Sequence, residues 1–197
     1  EISACLVGSE MCIRDSVIDT AFGILEETQS IQLVSMTAVA ERLGIRVQSL
    51  YAHIDGSTGL KRELALRSLE KLAQDLNQAA IGIAGIGAVR AVLKAQFNFA
   101  LTHPAAFQAS IYPPANDDLI IKAIEEVNYP MHKILKEAGI DDATITHWSR
   151  LVLSTIYGYS TLNQNKQLTL PVSTKESIDY IINVLVTDID VKISTDK

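Results

Sequence analysis

Arg46, Gln48, Ser49 and His53 are four hydrogen-bonding side chains within eight residues, interleaved with Leu50, Tyr51 and Ile54. At helical spacing Leu50, Tyr51 and Ile54 form an inward stripe and the polar four face outward. A short helix that carries such a face just after a tight turn is how a recognition helix offers donors and acceptors to the DNA major groove. The turn is written immediately before it. Thr37 to Leu43 reads as a helix with Val39, Ala40 and Leu43 on one face, and Ala40 is small enough to let a second helix approach closely. Gly44 then supplies the positive φ of a sharp turn, and Ile45 is expected to drop into the core.

Other chemistries lack their residues. His53, His103, His132 and His147 are widely spaced and form no H-x-x-x-H pair, and Cys5 and Cys12 lie far from any histidine cluster, so neither a metal site nor a disulfide framework is expected. The glycines Gly82, Gly85 and Gly87 follow a long helical stretch rather than a strand and do not fit G-x-G-x-x-G, which argues against a phosphate-cradling loop. No Gly-x-Ser-x-Gly elbow, Cys-His arrangement or P-loop is present. The pairs Asp117-Asp118, Glu125-Glu126 and Asp141-Asp142 suit helix starts and solvated faces better than acid-base work. Catalysis is not expected, nor is a cofactor.

The elements that must position the reading motif follow from periodicity and charge. Helical spacing dominates the 197 residues, without sustained two-residue alternation or hairpin signals, which predicts an all-α fold. Net charge is −6, but residues 36–71 carry six Lys and Arg against four acids, while residues 1–35 carry one Arg against six acids. An acidic remainder confines contact with a polyanion to that one window. Residues 77–87, containing Asn77 and three glycines, form the best linker candidate. Beyond it helices are predicted near 87–103, 105–111, 117–138, 142–165 and 174–191. Pro104 and Pro113-Pro114 punctuate them, Gly139 serves as a C-terminal cap, Asp141 or Asp142 caps the next start, and Ser173 with Glu176 forms a capping box. Pro130 should kink its helix. No apolar run is long enough to cross a bilayer and no secretory signal is seen, so a cytoplasmic location is expected. The run Leu6 to Ser16 resembles translated sequencing-adapter text, and residues 1–15 are expected to be a non-native leader.

Ala21-Phe22, Thr37 to Ile45 and Ser49-Leu50-Tyr51-Ala52-His53-Ile54, with Leu60 opening a long helix, resemble the DNA-binding domain of tetracycline-repressor (TetR) regulators over residues 17–76. Thr102-His103-Pro104 and Tyr157-Gly158 are similar to features of a subgroup of that family. The chain departs from the usual pattern at Ile54, at Ser57 where a Lys is common, at Gln29, and at Arg46, which leaves the recognition helix without its usual N-cap. Lys61 or Arg62 is the candidate replacement for the missing Lys.

The resemblance implies a helix-turn-helix domain over residues 16–62 and a ligand-binding and dimerisation domain over residues 63–197. It implies DNA contacts at Thr37, Arg46, Val47, Gln48, Ser49, Tyr51, His53 and Lys61, with Tyr51 and His53 on phosphates. Gln48 can pair bidentately with adenine, Arg46 can reach guanine or a phosphate, and Val47 can touch a thymine methyl. The alternative makes Tyr51 a core residue with a wet hydroxyl. The expected partners are near-palindromic operator DNA, a second copy of the chain, and a small apolar or aromatic ligand that releases the DNA. The competing class is an all-helical ligand carrier or enzyme domain without DNA binding.

Two further readings come from the apolar content. Helix 174–191 has a stripe of Ile178, Ile181, Ile182, Leu185 and Ile189 with Tyr180, Val184 and Val191 off it, and helix 142–165 is apolar nearly all round. Tyr157, Tyr159, Ile178, Ile182 and Leu185 are therefore expected at a four-helix homodimer interface. Phe97, Phe107, Tyr112, Met131 and Trp148, with Gln96, Asn128, His132 and His147 among them, are expected to line a ligand cavity.

Overall fold

The computed structural model describes residues 2–113 and 115–195, with side chains described for 13–113 and 115–194. The side chains of Cys5, Cys12 and most of the expected leader, and the whole of Pro114, thus lie outside what is described. Among the described residues there is no strand. The helices are α1 (Ile2–Thr28), α2 (Met36–Leu43), α3 (Val47–Leu50), α4 (Gly56–Ala80), α5 (Gly85–Thr102), α6 (Pro104–Ser110), α7 (Asp118–Glu137), α8 (Asp142–Gln164) and α9 (Thr174–Thr195), with a 3-10 turn at Ile31–Leu33. Among the described residues no helix is long and apolar enough to cross a membrane.

The chain forms two compact units, one of residues 1–69 and 103–121, the other of residues 70–102 and 122–197. In the first, α1 places Val17, Ala21, Ile24 and Leu25 on one buried face by its three- and four-residue spacing, and packs on α2, the 3-10 turn and α6. Val39, Ala40, Leu50, Ile54, Leu60 and Leu64 complete that core, and Phe107 of α6 is buried with them in the same unit. In the second, α5 packs on α8 and α9, burying Val89, Leu93, Phe97, Val152, Ile156, Ile182 and Ile189.

Helix ends follow the expected chemistry. Asp141 accepts from the amides of Ala143 and Thr144, both at 3.0 Å. Ser173 and Glu176 close a capping box, each side chain taking the other's backbone N–H at 3.2 and 3.0 Å. Gly139 lies just past α7 with φ 93°. The predicted linker shrinks to residues 81–84, because α4 continues through Asn77, whose side chain donates to the Ala73 carbonyl at 2.8 Å. Pro130 is buried inside α7, which runs through it without interruption from Asp118 to Glu137.

Candidate nucleic-acid interface

The reading motif is built from its turn. Ser35 accepts the Ala38 amide at 3.1 Å and so starts α2, satisfying one of the free N–H groups there. Gly44 ends it with φ 67°: its amide donates to Glu41 and the Ile45 amide donates to Ala40, at 3.1 and 3.0 Å. These two bonds form a Schellman motif, which sets the angle at which the chain enters α3. Ile45 does not drop into the core as expected but remains 41% exposed. The residue such a turn usually offers it for packing is Ala40, a single methyl, already covered by its own core.

One turn of α-helix forms α3, with Arg46 at its N-cap making no side-chain cap bond. Leu50 and Ile54, one turn apart, point inward, at 0% and 4% exposure. Tyr51 does not join that stripe. It is 60% exposed, because it lies about 100° round the helix from Leu50 and the regular helix stops there. The reading of Tyr51 as a core residue is thereby overturned. Thr37, Arg46, Gln48, Ser49 and Lys61 are exposed, and Val47 and His53 are half-buried. Apart from these last two, the motif's donors, acceptors and cations face solvent.

Behind it lies a cleft of about 320 Å³ lined by Arg14, His53, Ile54, Asp55, Thr58, Gly59, Arg62 and Glu63. Arg62 is not free to replace the missing phosphate-contacting Lys. Its guanidinium forks onto Asp117, Nε to Oδ2 and Nη2 to Oδ1 at 2.9 Å, and its Nη1 reaches Glu63 at 3.0 Å. Lys61 remains the candidate. Side-chain pairs of this unit that join residues far apart in sequence had no local signal; among them are Arg62 with Asp117, Arg42 with Glu27 at 2.7 and 2.8 Å, Arg14 with Glu63 at 2.6 Å, Arg67 with Asp19 at 3.4 Å, and the hydrogen bond between Glu26 and His103 Nδ1 at 2.5 Å. The Ser35 cap was findable, as a Ser just before an apolar-periodic run.

Among the described residues, five carboxylates are held below their ordinary range. Arg42 lowers Glu27, Arg62 lowers Asp117, hydrogen bonds from Thr144 lower Asp141, Lys136 lowers Asp142, and hydrogen bonds from Ser173 lower Glu176. A carboxylate whose pKa is depressed in the folded state stabilises it in full above the unfolded value of about 4, and that contribution disappears as pH falls through the folded values. The thermal midpoint is therefore expected to lose nothing from these groups between pH 7 and about 5, and to fall steadily below about 4. A midpoint that rises on acidification below that point would contradict the assignment.

The residues expected to line a ligand cavity divide between the units: Phe107 and Tyr112 belong to the first, Phe97, Met131 and Trp148 to the second. Phe97, Met131 and Trp148 are buried, and the Trp148 indole donates to the Leu185 carbonyl at 3.3 Å. The polar groups expected among them are elsewhere. Asn128, His132 and His147 are exposed, and His132 faces Asp142 at 3.3 Å, because they fall on the solvent side of α7 and α8. Only Gln96 is half-buried.

Of the residues expected at a dimer interface, Ile182 and Leu185 are buried within their own unit, where α9 meets α5 and α8. Tyr159 is half-buried, its ring edge-on to Phe97 with centroids 6.2 Å apart and its hydroxyl donating to Thr174 at 3.2 Å. Ile178 is half-buried. Tyr157 is 46% exposed, and Leu153 of α8 and Tyr180 and Val184 of α9 are exposed as well.

Residues 89–185 match the family model of the tetracyclin repressor-like C-terminal domain. The chain is 25% identical over 167 residues to the uncharacterized HTH-type transcriptional regulator YobS of Bacillus subtilis, covering 84% of this chain and 86% of that one. Among solved structures it is similar to a protein with unknown function from Rhodococcus sp. RHA1, with TM-score 0.74, 17% identity and coverage of 89% and 94% of the two chains. It is also similar to the transcriptional regulator SCO7222, a TetR from Streptomyces coelicolor, with TM-score 0.65, 16% identity and coverage of 89% and 96%.

Proposed function

We propose that this chain is a regulator of the tetracycline-repressor (TetR) type, a sequence-specific DNA-binding repressor whose grip on its operator is relieved by a small molecule. The observation that carries this reading is the solvent-facing set Arg46, Gln48, Ser49 and Tyr51, raised on a helix that a Schellman turn at Gly44 aims away from a closed core. Gln48 and Arg46 read base edges, Val47 meets a thymine methyl, and Tyr51, His53, Thr37 and Lys61 hold the backbone. The working DNA-binding segment is residues 16–62, and the cytoplasm is its place of action.

Two copies bind together, through the exposed apolar faces of α8 and α9 rather than through Ile182 and Leu185. The ligand is a small apolar or aromatic compound, taken up among Phe97, Met131 and Trp148 of the second unit. It releases DNA by favouring a state in which α4, whose Ala65, Leu69, Leu72 and Leu76 are buried, has shifted. A ~100-fold preference for that state corresponds to about 2.7 kcal/mol of coupling.

Two exposed residues separate reading from holding. Gln48→Ala is expected to relax discrimination at one base pair per half-site, costing about 1–3 kcal/mol against the preferred base. Lys61→Ala is expected to weaken binding on all sequences alike and to lower the salt slope by about one. Duplex titrations at several salt concentrations check both. If neither variant differs from wild type, this face does not bind DNA.

A further inference from the structure

Asp117 stands 55 residues from Arg62 in sequence, outside the segment whose pattern announces DNA binding, yet in the same compact unit. Its carboxylate has two tasks. Oδ1 caps α7, accepting from the amides of Leu119 and Ile120 at 3.1 and 3.4 Å, and the same oxygen accepts from Arg62 Nη2 while Oδ2 accepts from Nε. The connection that brings it there is bent at cost: Ala115 and Asn116 both take left-handed backbone, φ 37° and 64°. Next to it Ile120 is fully buried, which fixes the start of α7 in this unit.

On the other side of the pair, Arg62 belongs to the second turn of α4 and lines the cleft that His53, Ile54, Asp55 and Thr58 share. These are the residues through which the reading segment passes into α4. A planar guanidinium held by a two-bond fork is fixed in direction as well as in place. It therefore fixes the wall against which the end of the reading segment rests. The side chain is also compensated by Asp117 and Glu63 together, so it offers little net charge to a phosphate.

We infer that Asp117 is a positioning residue for DNA binding, acting through Arg62 to hold the start of α4 and the adjoining end of the reading segment in the orientation that meets DNA. The inference rests on the DNA-binding reading above. It assigns to the segment between α6 and α7 a part in the DNA-binding apparatus, and it makes Arg62 a strut rather than a phosphate contact.

The test uses the full chain and the variants Asp117→Asn, Arg62→Gln and both together, with operator affinity, its salt slope and the thermal midpoint as readouts. Asparagine caps a helix about as well as aspartate, so Asp117→Asn keeps the start of α7 and removes only the charged fork. Each single variant is expected to bind operator roughly tenfold more weakly at fixed salt, as loss of a charge-assisted pair implies. The double variant should be no weaker than the singles, and the salt slope should be unchanged throughout. If Asp117→Asn melts too early to assay, Arg62→Lys, which keeps the cation and leaves the Asp117 cap in place but cannot form the two-bond fork, must bind operator more weakly than wild type, and wild-type affinity in that variant overturns the inference. It is also overturned if Asp117→Asn binds as well as wild type or better, or if Arg62→Gln lowers the salt slope by about one, the mark of a direct phosphate contact. Wild-type chain with no preference for any duplex would instead remove the DNA-binding reading itself.

Discussion

A chain carrying Tyr157→Glu and Val184→Glu is expected to run as a monomer at micromolar concentration and to lose roughly 100-fold or more in operator affinity, the advantage a second linked half-site confers. Both side chains are exposed, at 46% and 51%, so the charges enter no core and the monomer should melt close to the wild-type chain's own units. They share their helices with other exposed apolar side chains. Leu153 and Tyr157 are one turn apart on α8, Tyr180 and Val184 one turn apart on α9, and the two helices pack on each other. Covering such a surface contributes about 25 cal/mol per Å², and burying an unpaired carboxylate there reverses the gain. Light scattering and duplex titration read the two effects separately. A double variant that stays dimeric would show that another surface joins the copies.

Leu50→Ala is expected to cost about 2–5 kcal/mol in the first unit and to abolish operator binding. Leu50 is the last residue of α3 and its one fully buried side chain, and α3 packs on α2. With so short a helix there is no second inward residue before Ile54 to hold the reading side chains in place. The second unit should be spared. Trp148, the chain's sole tryptophan and buried there, should keep its fluorescence while binding is lost. A Leu50→Ala chain that binds operator like wild type would mean that α3 is not what holds the DNA.

What could be read in the sequence was what neighbours decide. Gly44, Asp141 and the Ser173 and Glu176 box each act within four residues, and each appears in the structure with the bonds that its spacing implies. The helices likewise follow from local periodicity. Tyr51 was misplaced because the inward stripe presumed a longer helix than the one turn that forms, and Ile45 because a turn's direction does not reveal how little Ala40 can cover. Periodicity shows that a face is apolar but not what it meets. Spacing separates the stripe of Ile182 and Leu185 from Tyr180 and Val184 off it, but which of the two meets the chain's own core is decided only where α9 packs on α5 and α8. The fork between Arg62 and Asp117, and the joining of α6 to the first unit, depend on residues brought together only by the fold.

Sequence-specific DNA binding is tested most directly by letting the full chain select from a random duplex library, then measuring Kd for the enriched duplex and its scrambled form at one salt concentration. The expected result is a near-palindrome with half-site centres about 34–36 Å apart. The enriched duplex should be bound at least ~1,000-fold more tightly than the scrambled one. No enriched sequence, or equal affinity for the two duplexes, would contradict the account.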